Sequence, residues 1–203
     1  MSGGFSDADR KRIREDLVAT GRELFERYGL SKTTIADLTA PVGIANGTFY
    51  QFFDSKETLF LEVLDREGER LLPELLAPFE DGAHDDPEAV IVAFLTRLMD
   101  EIETNPLVRQ LLVDVDDLQR LRDVHTDTEL EAERQESLAY FLPYVEAWYE
   151  TGDVDGPDAE TVANAIRAVS LLTLHIEDLG GGETYRETRD LVVEAVAKGL
   201  TTD

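Results

Sequence analysis

Apolar residues recur at spacings of three and four along almost the whole chain, and no sustained run alternates apolar with polar residues. Such a period places apolar side chains on one face of an α-helix, whereas a half-buried strand needs a period of two. The sequence therefore predicts an all-α protein of about nine helices. The predicted helices cover residues 9–28, 34–40, 45–52, 54–76, 87–104, 106–113 or beyond, 126–150, 158–179 and 183–200. Residues 77–87 are predicted to form a loop, and Pro73 to bend or end the fourth helix.

The residue types of catalytic and metal sites are scarce. The chain has no cysteine, which excludes disulfides, thiolate ligands and cysteine nucleophiles. His84, His125 and His175 lie far apart and show no metal-ligand spacing. No nucleophile, base and orienting group converge, so we expect no enzyme, no cofactor and no metal. No apolar run approaches the roughly 20 residues of a membrane span, and no signal peptide is evident, so a soluble cytoplasmic protein is expected.

Acidic residues dominate the composition, with 44 Asp+Glu against 19 Lys+Arg and a formal net charge of -25. Residues 1–60 hold eight basic and nine acidic residues, and the other 143 hold eleven and 35. An almost neutral N-terminal part with a basic edge at residues 10–14 can therefore approach phosphates. Only four basic residues are lysine, a balance that resembles halophilic proteins from a high-salt cytosol. The alternative is an acidic mesophilic protein.

The stretch from Thr33 to Lys56 predicts two short helices around a tight turn. One helix covers about residues 34–40, the turn runs over 41–43, and the second helix covers about 45–52. Two short helices joined by a turn of three or four residues with glycine form a helix-turn-helix unit. At 100° per residue, the second helix buries Ala45, Phe49, Phe52 and Phe53. It turns Asn46, Gly47, Tyr50 and Gln51 outward.

The outward face of the second helix is unusual for a merely solvated surface. A glycine inside a helix costs roughly 0.5 to 1 kcal/mol relative to alanine, so Gly47 favours the close approach of another backbone. Asparagine, glutamine and threonine can bond base edges, and Tyr50 can bond a phosphate. Lys56 in the first turn of a helix opposes the helix dipole and suggests a docked phosphate. The alternatives are that Tyr50 is a packing aromatic and Lys56 an ordinary surface residue.

The segments ATGRELFERYGLSKTTIADL and VGIANGTFYQFFDSKETLF resemble the N-terminal signature of TetR-family regulators over residues 13–64. The resemblance implies a DNA-binding domain over residues 1–54 and a ligand-binding and dimerisation domain over 55–203. It implies that Thr34 contacts phosphates, that Asn46, Gly47 and Thr48 enter the major groove, and that Tyr50 and Lys56 hold the backbone. The other candidate DNA-binding residues are Gln51, Lys32 and Arg12.

Two residues depart from the family pattern in this segment. Pro41 stands where the family usually has a helix former, and we expect it to shorten the preceding helix. Ala45 stands where a capping serine is common, so the recognition helix loses about 1 kcal/mol of local stability. The DNA contacts near this junction are the ones that these two departures affect.

The last two predicted helices carry apolar stripes wide enough to bind a partner. The family resemblance implies that these helices pair with their mates in a four-helix interface, which predicts a homodimer on an inverted-repeat DNA operator. Purely internal packing is the alternative. The candidate interface residues are Val162, Ile166, Val169, Thr173, Ile176, Leu191, Val192, Ala195, Val196 and Leu200.

An unusual concentration of aromatic residues lies in the helix predicted over 126–150, where Pro143 is expected to introduce a kink. Aromatic walls around such a kink suit a flat or apolar ligand, although ordinary core filling explains them equally well. His175 and Tyr144 are candidates for polar contacts, with a satisfied core histidine as the alternative. The candidate pocket residues are Phe94, Leu98, Met99, Leu111, Leu112, Tyr140, Phe141, Tyr144, Trp148, Leu172 and His175.

The sequence thus predicts a ligand-responsive repressor that binds double-stranded DNA as a homodimer and is released by a small apolar or aromatic effector. Two alternatives remain, and the first of them keeps the same DNA-binding domain. One is an effector-independent regulator or an activator, and the other is a helical protein-interaction module that has lost DNA binding.

Overall fold

The computed structural model describes residues 5–82, 86–113 and 139–202. Within these ranges the chain is helical, and its only pairing of the strand type is an isolated bridge between Val154 and Thr201. The all-α prediction is confirmed. The helices are α1 (Asp7–Tyr28), α2 (Ile35–Val42), α3 (Asn46–Phe49), α4 (Lys56–Gly82), α5 (Pro87–Thr104), α6 (Pro106–Val113), α7 (Leu142–Thr151), α8 (Ala159–Val169), a 3-10 helix (Ser170–His175) and α9 (Gly182–Leu200).

Side-chain caps explain where several helices begin. Ser6 precedes α1, and its hydroxyl accepts a hydrogen bond from the Asp9 amide while the Asp9 carboxylate accepts from the Ser6 amide. This reciprocal pair satisfies two amides that the first turn leaves unbonded. Asp86 and Asp158 cap α5 and α8 in the simpler way, each accepting from the amide three residues on. At α4 the cap is Ser55, which accepts from the Thr58 amide at 3.0 Å.

Prolines interrupt the helices less than the sequence predicted. Helix α2 passes through Pro41 to Val42, so the expected shortening is wrong. Helix α4 passes through Pro73 and Pro78 to Gly82, so the helix does not end at Pro73 and residues 77–82 are not a loop. A proline removes one backbone hydrogen bond and crowds the preceding turn. In α4 the burial of Phe79, just after the second proline, helps to offset that cost.

Three other boundaries differ from the prediction. Helix α3 ends at Phe49 and not at residue 52, and α8 gives way to a 3-10 helix after Val169. Pro143 lies in the first turn of α7, where a missing amide hydrogen costs nothing, and does not kink the middle of a described helix. Residues 126–138 of the predicted long helix lie outside the described residues.

The described residues form two compact units. The first contains residues 5–70 and 106–113, so it extends beyond the boundary expected at residue 54. The reason is that the first turns of α4 carry Leu59, Phe60 and Val63 into its core. That core also contains Ile13, Leu17, Val18, Phe25, Leu30, Leu38, Phe49, Phe53 and Leu107.

The second unit contains residues 71–82, 86–105 and 139–202. Its core includes a group of aromatic side chains packed around Phe79, whose ring centroid lies 5.1 Å from that of Phe94 and 5.6 Å from that of Trp148. Polar contacts join α5 to α9, because Arg189 donates to Asp100 at 2.6 Å and Tyr185 donates to Glu103 at 2.7 Å. Burial, and then the bond to the Glu103 carboxylate, raises the pKa of Tyr185.

Candidate nucleic-acid interface

Helices α2 and α3 form the helix-turn-helix unit that the sequence predicted. The Thr34 hydroxyl accepts from the Asp37 amide, and the Asp37 carboxylate accepts from the Thr34 amide at 3.0 Å, so α2 begins with a reciprocal cap. Gly43 ends α2 with φ 76 and ψ 29, a left-handed conformation that favours glycine. Its amide donates to the Thr39 carbonyl at 3.0 Å. The turn thus redirects the chain into α3 within three residues.

Phenylalanines hold α3 in place from behind. Phe49 and Phe53 are buried in the core of the first unit, as expected, and their ring centroids lie 5.8 Å apart. Phe52 is only half-buried and Ala45 is exposed. The burial predicted for Ala45 is wrong because this residue precedes the helix in an extended conformation, so helical spacing does not apply to it. Ala45 makes no side-chain cap, as the sequence indicated.

The opposite side of α3 presents polar groups to solvent. Asn46, Gly47, Tyr50 and Gln51 are exposed, and Thr48 is half-buried. The Tyr50 side chain contacts the edge of Phe49 but remains 59% exposed, so it is not simply a packing aromatic. Together these residues, which we call the α3 surface, have the outward orientation that the sequence predicted.

Gly47 has no visible reason to be glycine inside the described structure. Its φ is not in the positive range, and a Cβ placed on it would meet no other heavy atom within 4 Å. An alanine there would therefore favour the helix at no steric cost to the chain itself. The missing side chain instead leaves the backbone open to a close approach from outside.

Two arginines of α1 hold the end of the recognition segment. Arg10 donates to the Gln51 carbonyl at 3.1 Å, and Arg14 donates to the Phe52 carbonyl at 2.9 Å. The Arg14 guanidinium also lies 4.4 Å from the centroid of the Phe53 ring, within the range of a cation–π contact. Sequence reasoning missed these roles and treated the arginines only as part of a basic edge. Their spacing of one helical turn was the available signal.

Lys56 forms hydrogen bonds within the first unit. These bonds give the lysine a structural role, so the argument that only a docked phosphate explains its position against the α4 dipole is wrong. Its ammonium donates to the Leu30 carbonyl at 2.6 Å and to the Thr33 carbonyl at 3.0 Å. The lysine therefore fastens the turn between α1 and α2, just before the Thr34 cap. A direct contact between Lys56 and a phosphate stays a prediction.

The remaining candidate DNA-binding residues lie on the surface of the same unit. Thr34, Lys32 and Arg12 are all exposed. Arg12 is not an isolated cation, because its guanidinium lies 3.1 Å from the Asp16 carboxylate. A phosphate would have to compete with that carboxylate for Arg12.

Ion pairs join α1 to the first half of α4. Arg14 contacts Glu62, Arg66 bonds the same carboxylate at 2.8 Å, and Arg66 also bonds Glu15. The bond from Arg66 holds the pKa of Glu15 below its usual value. One turn further on, Glu67 is almost fully buried and pairs with Arg22 at 3.1 Å.

The sequence around this unit matches a family model. The model, described as bacterial regulatory proteins of the tetR family, matches residues 17–63, which include the whole helix-turn-helix. Over residues 17–63 the chain is thus similar to TetR-family regulators. Among curated TetR-family relatives, it is 31% identical over 74 residues to the transcriptional repressor DhaR of Mycobacterium sp. strain GP1. It is 39% identical over 51 residues to the repressor KstR2 of Rhodococcus jostii.

The aligned segment spans 36% of this chain and 37% of DhaR, and 25% of both this chain and KstR2. Only about a third or less of these TetR-family relatives is therefore matched. A solved TetR-family regulator from Pectobacterium atrosepticum superposes over 98% of this chain and 99% of its own, with a TM-score of 0.77 and 18% identity. That similarity supports the TetR-like fold of a helix-turn-helix head and a helical body.

The residues predicted to line a ligand pocket separate into three groups. Phe94, Met99, Phe141 and Trp148 are buried in the core of the second unit, and the side chains of Leu98, Tyr144 and Leu172 pack against it. Tyr140 and His175 are exposed, and His175 contacts Asp178 at the surface. The side chains of Leu111 and Leu112 lie outside the described residues. Sequence reasoning missed Phe79, whose proline-flanked position suggested a loop.

A cleft of about 420 Å³ lies beside these residues, between the second half of α4 and α5. Its walls include Leu71, Leu75 and Ala77, with Arg97 and Asp100 among the polar residues. None of the predicted pocket residues lines it. The aromatic group itself is packed ring against ring.

Some of the candidate interface residues are buried within the chain's own fold, and others are exposed to solvent. Val162, Ile166 and Val169 are buried in the chain's own second unit because α8 packs against α5, α7 and α9, and Thr173 is buried on the 3-10 helix, which packs against α5. The prediction that these four face a partner is therefore corrected. Ile176, Val192, Val196 and Leu200 are half-buried, and Leu191 and Ala195 are exposed. Sequence reasoning missed Leu171, which is 54% exposed on the 3-10 helix.

Two kinds of feature are absent from the described residues. No described helix combines the length and apolar character needed to cross a bilayer. No group of three or more histidines, aspartates or glutamates in the described ranges has the arrangement of a metal site.

Proposed function

We propose that this chain is a DNA-binding transcriptional regulator, and specifically a repressor, that reads DNA with the α3 surface. The observation that carries the proposal is that α3 buries phenylalanines on one side and exposes polar residues on the other. On the exposed side, no contact within the described structure requires Gly47 to be glycine. Side chains of the asparagine, glutamine and threonine types can bond base edges, and tyrosine can bond a phosphate. The cytoplasm is the compartment in which such a protein would meet its operator, and we assign it no catalytic activity.

Selection from a random double-stranded DNA library tests this proposal. The purified full chain is expected to enrich one sequence motif, and the variant with Asn46, Tyr50 and Gln51 all replaced by alanine is expected to enrich none. Matched replacement of three exposed residues of α7 and α8, Glu146, Glu150 and Glu160, should leave the motif unchanged. Absence of any enriched motif across a broad range of ionic strength would contradict DNA reading and favour a protein-interaction module.

We propose further that the chain acts as a homodimer on an inverted repeat. Leu191 is 67% exposed on α9 and Leu171 is exposed on the 3-10 helix, and large exposed leucines favour an apolar contact with a partner. A two-fold dimer presents two recognition helices to major-groove faces about one helical turn apart. Sedimentation equilibrium should give twice the mass of the chain. The selected DNA motif should contain two inverted half-sites.

We propose that a small apolar or aromatic effector releases the operator by favouring a different position of α4. This helix runs without a break from Lys56 beside the α1–α2 turn to the residues that line the cleft and the aromatic group. An effector can shift the equilibrium only if it binds the non-DNA-binding state more tightly. Titration of aromatic compounds against a fluorescent copy of the selected operator tests this. A compound that binds the protein but never changes DNA affinity is not such an effector.

A further inference from the structure

Asn46 is the first residue of α3, and one end of its amide is held by the protein itself. The hydroxyl oxygen of Thr39, on α2, lies 2.7 Å from Asn46 Oδ1. Thr39 is only 1% exposed, so water does not compete for this hydroxyl. Asn46 itself is exposed on the α3 surface. The contact therefore connects a buried residue of α2 to an exposed residue of α3.

The single hydrogen of the Thr39 hydroxyl has three oxygen atoms within hydrogen-bond distance, of which the Ala36 carbonyl is the farthest at 3.5 Å. The Ile35 carbonyl lies 2.8 Å away, one turn back on the same helix, and Asn46 Oδ1 lies at 2.7 Å. The Ile35 carbonyl occupies a position that accepts a backbone amide in an α-helix. Asn46 Oδ1 has no other donor among the described residues. We therefore assign the hydroxyl hydrogen to Asn46 Oδ1, because the Ile35 carbonyl already has a backbone donor.

Holding Oδ1 changes what Asn46 can read. A free asparagine pairs with adenine through two bonds, in which the amide oxygen accepts and the amide nitrogen donates. Because Thr39 holds Oδ1, the group that the Asn46 side chain turns outward is its Nδ2 amide NH2 group, which makes no hydrogen bond to any described residue. An NH2 group donates hydrogen bonds, so it selects bases with an acceptor in the major groove, namely guanine, adenine and thymine. Cytosine presents only its own amine there, so it is the base that this arrangement rejects.

We propose that Thr39 is a specificity-determining residue that acts through Asn46. By fixing the amide, it makes Asn46 a hydrogen-bond donor to DNA and excludes cytosine at one base of each half-site. This inference rests on the proposed function, because it assumes that the α3 surface reads DNA.

Library selection with the full chain tests the inference. Wild type is expected to exclude cytosine at one position, and Thr39→Val, which lacks the hydroxyl, should lose about twofold to tenfold of that discrimination in competition binding. Thr33→Val is the matched control, because Thr33 is also buried and its hydroxyl bonds only the Gly29 carbonyl. It should keep the wild-type base preference. Asn46→Ala should lose the discrimination, and adding Thr39→Val to it should change nothing further.

A second pair of variants covers the case in which Thr39→Val does not fold. Thr39→Ser keeps the hydroxyl and Thr39→Ala loses it, while both lack the methyl group. The serine variant should keep the exclusion of cytosine and the alanine variant should lose it.

The outcomes separate this inference from the proposed function. If wild type selects a motif but the Thr39 variants share its base preferences, Thr39 has no role in specificity and the DNA-binding function stands. If wild type prefers cytosine opposite Asn46, the amine does not face the base and the inference is wrong. If wild type selects no motif, both proposals fail.

Discussion

Two residues, Gly47 and Lys56, show how the structure can support or overturn an interpretation based on the sequence. Gly47 suggested close approach because glycine weakens a helix, and the empty space around it removes the competing internal explanations. Lys56 suggested a phosphate contact on similar grounds, yet its ammonium bonds the carbonyls of Leu30 and Thr33. A residue that breaks a local rule therefore points to function only when the fold offers it no partner.

Gly47→Ala should make the protein more stable and worse at binding DNA. Alanine favours a helix over glycine by about 0.5 to 1 kcal/mol, and nothing in the described structure obstructs its methyl group. The same methyl group would block close contact with a duplex, and we expect affinity for the selected operator to fall about tenfold, or about 1.4 kcal/mol. Thermal unfolding and fluorescence anisotropy measure the two effects.

Gly68→Ala is the matched control for this substitution. Gly68 is an exposed helical glycine in α4, and a Cβ there also meets no atom within 4 Å. It should raise stability by a similar amount and leave DNA affinity unchanged. Equal DNA affinity of the Gly47→Ala variant and wild type would show that no backbone approaches this residue.

At the scale of the helices, α3 is too short to hold its own position. Four residues make little more than one turn, and isolated helices of that length are not stable in water. Its place is set by phenylalanines behind it, by the Gly43 turn before it and by Arg10 and Arg14 after it. Arg14 is in turn linked to α4 through its contact with Glu62.

Arg14→Met should weaken both the fold and DNA binding. The substitution removes the bond to the Phe52 carbonyl and the contact with the Phe53 ring, which we expect to cost about 1 to 2 kcal/mol of unfolding free energy. Operator affinity should fall as well, because the end of α3 is no longer fixed. Urea unfolding and operator titration provide the two measurements.

Arg22→Met serves as the comparison, since Arg22 is also an ion-paired arginine of α1 but bonds Glu67 and Glu26 and not the α3 segment. It should lose stability without a matching loss of operator affinity once both proteins are fully folded. If the two variants lose affinity equally, Arg14 does not position α3 specifically.

The cap of α2 should give the protein a stability that depends on acid pH. Hydrogen bonds from the Thr34 hydroxyl, and then from its amide, lower the pKa of Asp37 from its usual value of 3.8. The unfolded chain therefore binds the proton more readily than the folded one. The stabilisation is present above about pH 3.8 and is lost as the pH falls through the lower folded value.

Asp37→Asn removes this titration while it keeps a side chain able to accept a hydrogen bond. The difference in melting temperature between wild type and the variant should shrink as the pH falls from 5 toward 2. A difference that stays constant over this range would show that the Asp37 carboxylate is not held by its cap.

At the scale of the whole molecule, charge is the dominant property. A net charge of -25 makes the folded chain repel itself, although ion pairs such as Arg22 with Glu67 offset part of that locally. The resemblance to halophilic proteins rests on this composition alone and stays a prediction. The nearly neutral first 60 residues leave the α3 surface outside the most acidic part of the sequence.

Salt should therefore stabilise the fold. Raising KCl from about 0.1 M to about 1 M shortens the screening distance from roughly 10 Å to roughly 3 Å, and the melting temperature at pH 7 should rise. Near pH 4.3, the isoelectric point, the net charge vanishes and the same addition should have little effect. A melting temperature that falls with salt at pH 7 would mean that attractive ion pairs outweigh the net repulsion.

The sequence by itself determined the features that depend on neighbours close along the chain. Helical periodicity and the turn at Gly43 are local, and so is the outward direction of Asn46 and Tyr50. These features were predicted because three or four residues suffice to produce each of them. The TetR-family signature could be recognised for the same reason, since it lies in one continuous segment.

Only the tertiary structure decided which apolar stripes face inward and which side chains hold the α3 surface. The sequence predicted that Val162 and Ile166 face a partner, but in the structure other helices of the same chain cover them. The bond from Arg14 to Phe52 joins residues 38 positions apart, and the bond from Thr39 to Asn46 crosses from one helix to another. Such contacts depend on how helices pack in space, and periodicity along a single helix carries no information about its neighbours.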